Sequence, residues 1–269
     1  ILNGTSNFIF SKMADEKFSF DAALTLAQKE GFAEPDPSFD ISGQDAAQKT
    51  SILATLSFFQ NSSMENVYFE GIDKISPDDI DYGKQLNFVL KPLSVGMQNK
   101  DRITLGSFPA FVKTDSLLAS IQNENNAVLV NAENVGGTMY SGPGAGAKPT
   151  ANSVLSDVID IARGKIFDYG KFVEQNLSSS FDNFSCDRYL KLQVNDKPGV
   201  VAKISTLLAN NNLSIDNLIQ KELERSDDQI PLVMVLSNSD ETTIQDTIKE
   251  LEALDEVSGP LTHIRILDI

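Results

Sequence analysis

The chain has 269 residues, a formal net charge of −16, one cysteine and one histidine. Such acidity lacks the basic patches that nucleic acid calls for, a single thiol builds no internal disulfide framework, and a lone histidine excludes a histidine-rich metal site. The hydrophobic content of 41% is ordinary for a globular protein, with no apolar run long enough to span a membrane and no secretory leader expected, and the length allows two domains with their own cores.

In chain order, Thr5 or Ser6 is expected to cap a first helix reaching about residue 15, and Ser19 a second that ends at Gly31. An acidic segment follows. Glu34, Asp36, Asp40 and Asp45 surround a single cation, Lys49, while Pro35 and Pro37 stiffen the approach and Gly43 releases the chain into a third helix. Asp45 and Lys49 are four residues apart and share a helix face. At roughly 100° per residue, that face continues through Ile52, Leu53 and Leu56, whereas Gln44, Gln48, Ser51 and Thr55 form a flanking polar face. The pattern predicts that the charged pair points inward, where charges are paired or put to work. A solvated surface salt bridge is the competing reading. Asp36, Ser38 and Asp40 have the alternating oxygen spacing of a calcium loop. However, Ile41 and Ala47 occupy the places of its sharp-turn glycine and bidentate glutamate, so no metal is assigned.

Strands are expected at 88–97, 102–108 and 127–131, with a helix at 114–122 between them. A further strand at 135–140 leads into the glycine loop Gly142-Pro143-Gly144-Ala145-Gly146. Pro149 suits the first turn of the helix behind that loop, which carries Val154, Leu155, Val158, Ile159 and Ala162. Small residues let a backbone approach a ligand closely, and free amides at a helix start favour anions; a plain strand-to-helix turn uses the same residues. Residues 167–188 read as a polar connector that holds Cys186 without a role and packs through Phe172, Phe181 and Phe184. From Tyr189 the order is strand, helix opened by Pro198, two strands paired across Ser226-Asp227-Asp228, helix, and a last strand containing His263. The fold class is therefore α+β. A domain with a mixed or antiparallel sheet and helices is followed by a βαββαβ unit of ferredoxin type.

Three blocks carry a resemblance to the homoserine dehydrogenase family. They are Ile1-Leu2-Asn3-Gly4-Thr5-Ser6-Asn7-Phe8-Ile9, the acidic segment, and the glycine loop followed by Pro149-Thr150-Ala151. The resemblance implies interconversion of L-homoserine and L-aspartate 4-semialdehyde with NADPH or NADH, in the biosynthesis of threonine, methionine and isoleucine. It implies Lys49 as proton donor with Asp45 as its partner. Glu34, Asp40 and Thr5 fall at substrate-binding positions, and Gly142, Gly144, Ala145 and Gly146 near the cofactor. It also implies a cytoplasmic homo-oligomer, a dimer formed through the sheet, with which a single cysteine agrees. Phe32 stands where the family often has tyrosine, so a phenolic hydrogen bond is lost there.

The turn Asn195-Asp196-Lys197-Pro198-Gly199-Val200 resembles the signature of the ACT regulatory domain. That resemblance implies an amino-acid effector, threonine for instance, held by Asn195, Asp196 and Gly199; a purely dimerising unit is the alternative. The resulting division is a catalytic domain at 1–166, a connector at 167–188 and an ACT domain at 189–269. No Gly-x-Gly-x-x-Gly dinucleotide fold opens the chain. It is therefore read as a C-terminal portion, inactive alone, with any alkali-metal site elsewhere. A non-catalytic amino-acid sensor that keeps this fold is the other reading, and retention of Glu34, Asp40, Asp45 and Lys49 favours the enzyme.

Overall fold

The computed structural model describes residues 1–99, 102–165, 181–220 and 229–269. Helix α1 (Gly4–Glu16) is capped by Asn3, whose side chain accepts from the Ser6 amide; the expected caps Thr5 and Ser6 lie inside the helix. Asparagine takes the role because its short amide reaches the third helical N–H. Helix α2 (Phe20–Glu30) runs as predicted, from a Ser19 cap to Gly31 in the left-handed region at φ 81°. A single turn, α3 (Ser38–Ile41), was not legible in the pattern. It leads to Gly43 at φ 84° and the helix α4 (Gln44–Phe58).

The orientation of α4 corrects an expectation. Its buried residues are Ala46, Ala47, Thr50, Ser51 and Ala54, and Ile52 and Leu56 face solvent at 58% and 43% exposure. The charged pair thus lies along an outward stripe, and Ser51, expected on the polar face, points in. Small side chains bring the helix close to the sheet, where Ala47 and Ala54 pack with Ile103 and Leu105. Contact distance chose the face; hydrophobicity alone pointed to the wrong one.

Strand β1 (Tyr68–Phe69) and helix α5 (Pro77–Gln85) precede a long hairpin of β2 (Phe88–Asn99) and β3 (Arg102–Lys113). The helix expected at 114–122 is only a 3₁₀ turn, Leu117–Ser120. Lys91 and Asn7 both donate to the Ile121 carbonyl, at 2.5 and 3.2 Å, and this anchor pulls the chain out of the helix after one turn. A separate two-stranded sheet, β4 (Asn125–Ala132) and β5 (Gly136–Pro143), leads to helix α6 (Ala147–Ala162). Gly142 and Pro143 belong to β5, so the loop proper is shorter than expected.

The second unit comprises β6 (Ser185–Asn195), α7 (Val200–Asn210), β7 (Ile215–Gln220), β8 (Gln229–Asp240), α8 (Glu241–Glu252) and β9 (Val257–Leu267). Its strands lie in the order β9-β6-β8-β7, all antiparallel, as a ferredoxin-type unit requires. Cys186, expected in the connector, lies within β6 and is buried among Phe108, Phe181 and Phe184; burial pushes its thiol up to about 11. Phe172 and the turn Ser226-Asp227-Asp228 fall outside the described residues.

The two units share one sheet. Strand β9 pairs in parallel with β3, Arg265 opposite Ala110, and gives a seven-stranded sheet. Alternation along the strands sends Leu190, Leu192, Val194, Leu232, Met234 and Leu236 to one face, under α7 and α8. Tyr189, Val233, Val235, Ile264 and Ile266 go to the other face, under α1, α2 and α5. Burial on both faces explains why β8 reads as a continuous apolar run instead of an alternating one. It also makes a three-layer junction where a free two-layer sandwich was expected.

Candidate functional site

The acidic segment folds back onto the first residues of the chain. Asn3 Nδ2 donates to Asp40 Oδ1 at 2.6 Å and to Asp45 Oδ2 at 2.8 Å. Lys49 Nζ lies 2.7 Å from the same Asp45 oxygen and 3.2 Å from the Leu2 carbonyl. Asn3 does two things here: its carbonyl oxygen caps α1 and its amide holds two carboxylates side by side. The Asp45 side chain is 18% exposed and the Lys49 side chain 47%, so the ammonium stands at the rim and the carboxylate beneath it. Asp45 also lies in the first turn of α4, where the helix dipole favours a negative charge.

The remaining predicted residues arrange around this centre. Thr5 is buried, and its hydroxyl donates to the Phe32 carbonyl at 2.6 Å, which fastens the segment leading to Glu34. The Phe32 ring packs on Phe8 at a centroid distance of 4.8 Å. Glu34 stands exposed on the turn, its carbonyl accepting from Gln28. Asp36 is spent locally. Its carboxylate accepts from the Ser38 amide at 3.1 Å, and bonds from Ser38 hold it below its ordinary value.

The glycine loop joins the same centre through Asn126. Asn126 Nδ2 donates to the Leu2 carbonyl that also accepts from Lys49. A methyl group on Gly144 would stand 2.3 Å from that Nδ2, so any larger residue there displaces the Asn126 side chain. Gly146, at φ 106°, opens α6 without a side-chain cap. Ala145 stands exposed on the turn, and Gly142 lies half-buried at the end of β5. Beyond the turn Val154, Leu155 and Val158 are each more than half exposed and form an apolar patch on α6.

At the far end, Asn195, Asp196 and Gly199 form the first turn of the second unit. The Asn195 carbonyl accepts from Lys197 at 2.9 Å, and Gly199, at φ 94°, opens α7 with no side-chain cap. This turn lies on the ferredoxin-type unit, apart from the Asp45–Lys49 centre.

A sequence profile described as homoserine dehydrogenase matches residues 1–159, and one described as ACT domain matches 188–256. The chain belongs to the homoserine dehydrogenase family. It is 38% identical to the homoserine dehydrogenases of Pseudomonas aeruginosa and Helicobacter pylori over 99% of its own length, covering 64% and 63% of theirs. The solved homoserine dehydrogenase of Thiobacillus denitrificans superposes over the whole chain with a TM-score of 0.91 at 34% identity, and 63% of that chain is covered. That of Staphylococcus aureus superposes with a TM-score of 0.75 at 28% identity, 100% of this chain and 64% of that one being covered. The chain thus spans less than two thirds of these relatives.

In this member of the homoserine dehydrogenase family, sequence reasoning missed Asn3 and Asn126 as parts of the site. Asn3 had a signal: an asparagine three residues before Ser6, at a helix start, is a strong cap. Asn126 had none, because its role depends on β4 lying beside the chain start, where the Ala127 amide donates to the Ile1 carbonyl at 3.0 Å.

Proposed function

We propose that the chain is the substrate-binding and regulatory portion of a homoserine dehydrogenase that interconverts L-homoserine and L-aspartate 4-semialdehyde. The observation that carries this reading is the Asn3-held pair of carboxylates with Lys49 Nζ 2.7 Å from one of them. Two carboxylates face one ammonium there, and Glu34 stands exposed on the approach. The surplus negative charge suits the α-ammonium of an amino-acid substrate.

Residues fit a nicotinamide dinucleotide as well. The uncapped amides at the start of α6 and the exposed glycine turn beside Asn126 offer anion-binding donors and close approach. NADPH or NADH, when bound, would supply the hydride for reduction, and its oxidised form would take the hydride in homoserine oxidation. Lys49 does the proton work. As the carbonyl carbon gains the hydride, the carbonyl electrons move to oxygen, and Nζ stabilises that charge and gives up a proton to it. Asp45 holds the ammonium in place. Asp40 and Glu34 accept from the substrate ammonium, and Thr5 fixes the turn that carries Glu34. In homoserine oxidation the same nitrogen, unprotonated, takes the hydroxyl proton.

The ACT unit is read as the regulatory part, with threonine as effector at Asn195, Asp196 and Gly199. Feedback by threonine is chemically sensible because homoserine leads toward threonine. The assembly is read as a homo-oligomer. The complete enzyme, given L-homoserine and oxidised NAD(P), should produce reduced nicotinamide, and the 269 residues alone should not, because no dinucleotide fold lies among the described residues. Absence of turnover in the complete enzyme removes the proposal.

A further inference from the structure

At the junction of the two units four charged side chains form a closed group. The Arg265 side chain is fully buried in β9. Its guanidinium forks onto Glu70, Nη1 to Oε2 and Nη2 to Oε1 both at 3.0 Å, and onto Glu241, at 3.1 Å from Nε and 2.5 Å from Nη2. Arg188, also buried, reaches Glu241 at 2.8 Å. Three rings enclose Arg265, with Phe108 nearest at 4.4 Å from its guanidinium carbon and Tyr68 and Phe181 beside it. Glu70 alone among these carboxylates comes from the first unit. It meets Arg265 because β1 and β9 both lie along one edge of β3, end to end: Phe69 pairs with Ser107 and Arg265 with Ala110.

The backbone of Glu70 has a second neighbour. A methyl group on Gly43 would stand 2.6 Å from the Glu70 carbonyl oxygen, so Gly43 lies in direct contact with it. One residue on, a methyl group on Gly71 would stand 3.0 Å from the Ile41 carbonyl, and the Ile72 amide donates to that carbonyl at 2.9 Å. Residues 41–43 connect Asp40 to the start of α4, hence to Asp45 and Lys49. The path from Arg265 to the acidic centre therefore runs through one residue: ion pair on its side chain, packing on its backbone.

We infer that Glu70 is a positioning residue, whose grip on Arg265 of the ACT unit sets the place of the turn that aims Asp40, Asp45 and Lys49. The inference rests on the proposed homoserine site and adds how the second unit bears on it. Interfaces of this kind are bistable in packing, so a shift of β9 is passed on as a shift of the turn.

The test uses the complete enzyme and steady-state kinetics. Wild-type turnover of L-homoserine comes first; its absence overturns the proposed function, whereas the variants bear on the role of Glu70. Glu70→Gln keeps the size of the side chain, a third of which is exposed, so a folded protein is expected. It should raise the KM for homoserine about tenfold, since small misplacements of binding groups are costly, and leave the KM for the nicotinamide cofactor unchanged. The double variant Glu70→Gln/Arg265→Met removes the pair and leaves Arg188 matched with Glu241. It should regain thermal stability relative to Glu70→Gln and keep the raised KM. A folded Glu70→Gln with the wild-type KM overturns the inference, and so does a double variant in which KM returns together with stability. Should neither variant fold, Tyr68→Phe removes two hydrogen bonds from the Glu70–Arg265 pair, one donated to Glu70 and one accepted from Arg265, and should raise the same KM about threefold; an unchanged value there overturns it too.

Discussion

Two clusters of carboxylates and cations lie on either side of the contact between Gly43 and Glu70, and they use the same residue types to opposite ends. In the first, Asp40, Asp45 and Lys49 meet at the surface, with nearly half of the lysine side chain exposed. In the second, the side chains of Arg188 and Arg265 are wholly out of water. The second cluster is balanced, two guanidinium groups against Glu70 and Glu241. The first is not: it carries more carboxylate than ammonium. An exposed pair adds little to stability, whereas removing one member of a buried set leaves an uncompensated charge. Solvent access and charge balance, more than residue identity, separate the cluster proposed to take a cationic ligand from the one that holds the fold.

The buried cluster depends most on Glu241. Burial alone would raise its carboxyl pKa, but Arg265 and Arg188 outweigh burial and hold it below its ordinary value. Glu241→Gln leaves Arg265 with Glu70 and Arg188 with no carboxylate, only the Phe184 and Ser239 carbonyls, and should cost about 3–5 kcal/mol, read from the urea midpoint at neutral pH. The sign with pH follows from linkage. The folded-state pKa lies below the unfolded one, so the stabilisation is complete above the ordinary glutamate range, about 4.3, and disappears as pH falls through the folded value. The gap between wild type and variant should therefore close in acid and stay open at neutral pH. Equal midpoints at neutral pH would place Glu241 among the surface pairs.

Lys49→Ala should show the reverse pattern. Its ammonium is half in water, so the thermal midpoint should hardly move. In the complete enzyme kcat should fall about 10²-fold or more, the range for loss of a general acid, with a smaller change in KM. A folded variant with near-normal kcat would return the Asp45–Lys49 pair to the ordinary helix salt bridge that the sequence also allowed.

The exposed cluster was far more legible in the sequence than the buried one. Glu34, Asp40, Asp45 and Lys49 lie within sixteen residues, so local spacing brings them together. Helix ends were legible for the same reason: Ser19 and Gly31 act on neighbours. Glu70, Arg188, Glu241 and Arg265 are spread over nearly two hundred positions and meet only because β9 joins the edge of β3. No spacing rule reports a parallel pairing between units. The error on α4 has a related cause. Periodicity offered two faces, and the sheet selected the one whose alanines and hydroxyls allow close approach, which depends on β2 and β3.

The smallest effect is expected within the exposed cluster, at Glu34. Glu34 stands on the turn that Thr5 fastens through the Phe32 carbonyl, and its side chain is exposed. Glu34→Gln preserves size and removes one negative charge. If the surplus of carboxylate serves the substrate ammonium, that loss should weaken homoserine binding about tenfold, the scale of one charge-assisted hydrogen bond at a site still wet. The cofactor KM, kcat and the thermal midpoint should stay near wild type, because Glu34 has no part in proton transfer or in the core. Raising ionic strength should narrow the difference, since exposed charges are screened over about 10 Å at 0.1 M salt. Glu241→Gln, whose charge lies out of water, should show no such narrowing in its stability loss. An unchanged KM for homoserine in Glu34→Gln would confine the ammonium site to Asp40 and Asp45, where Asn3 already holds both carboxylates.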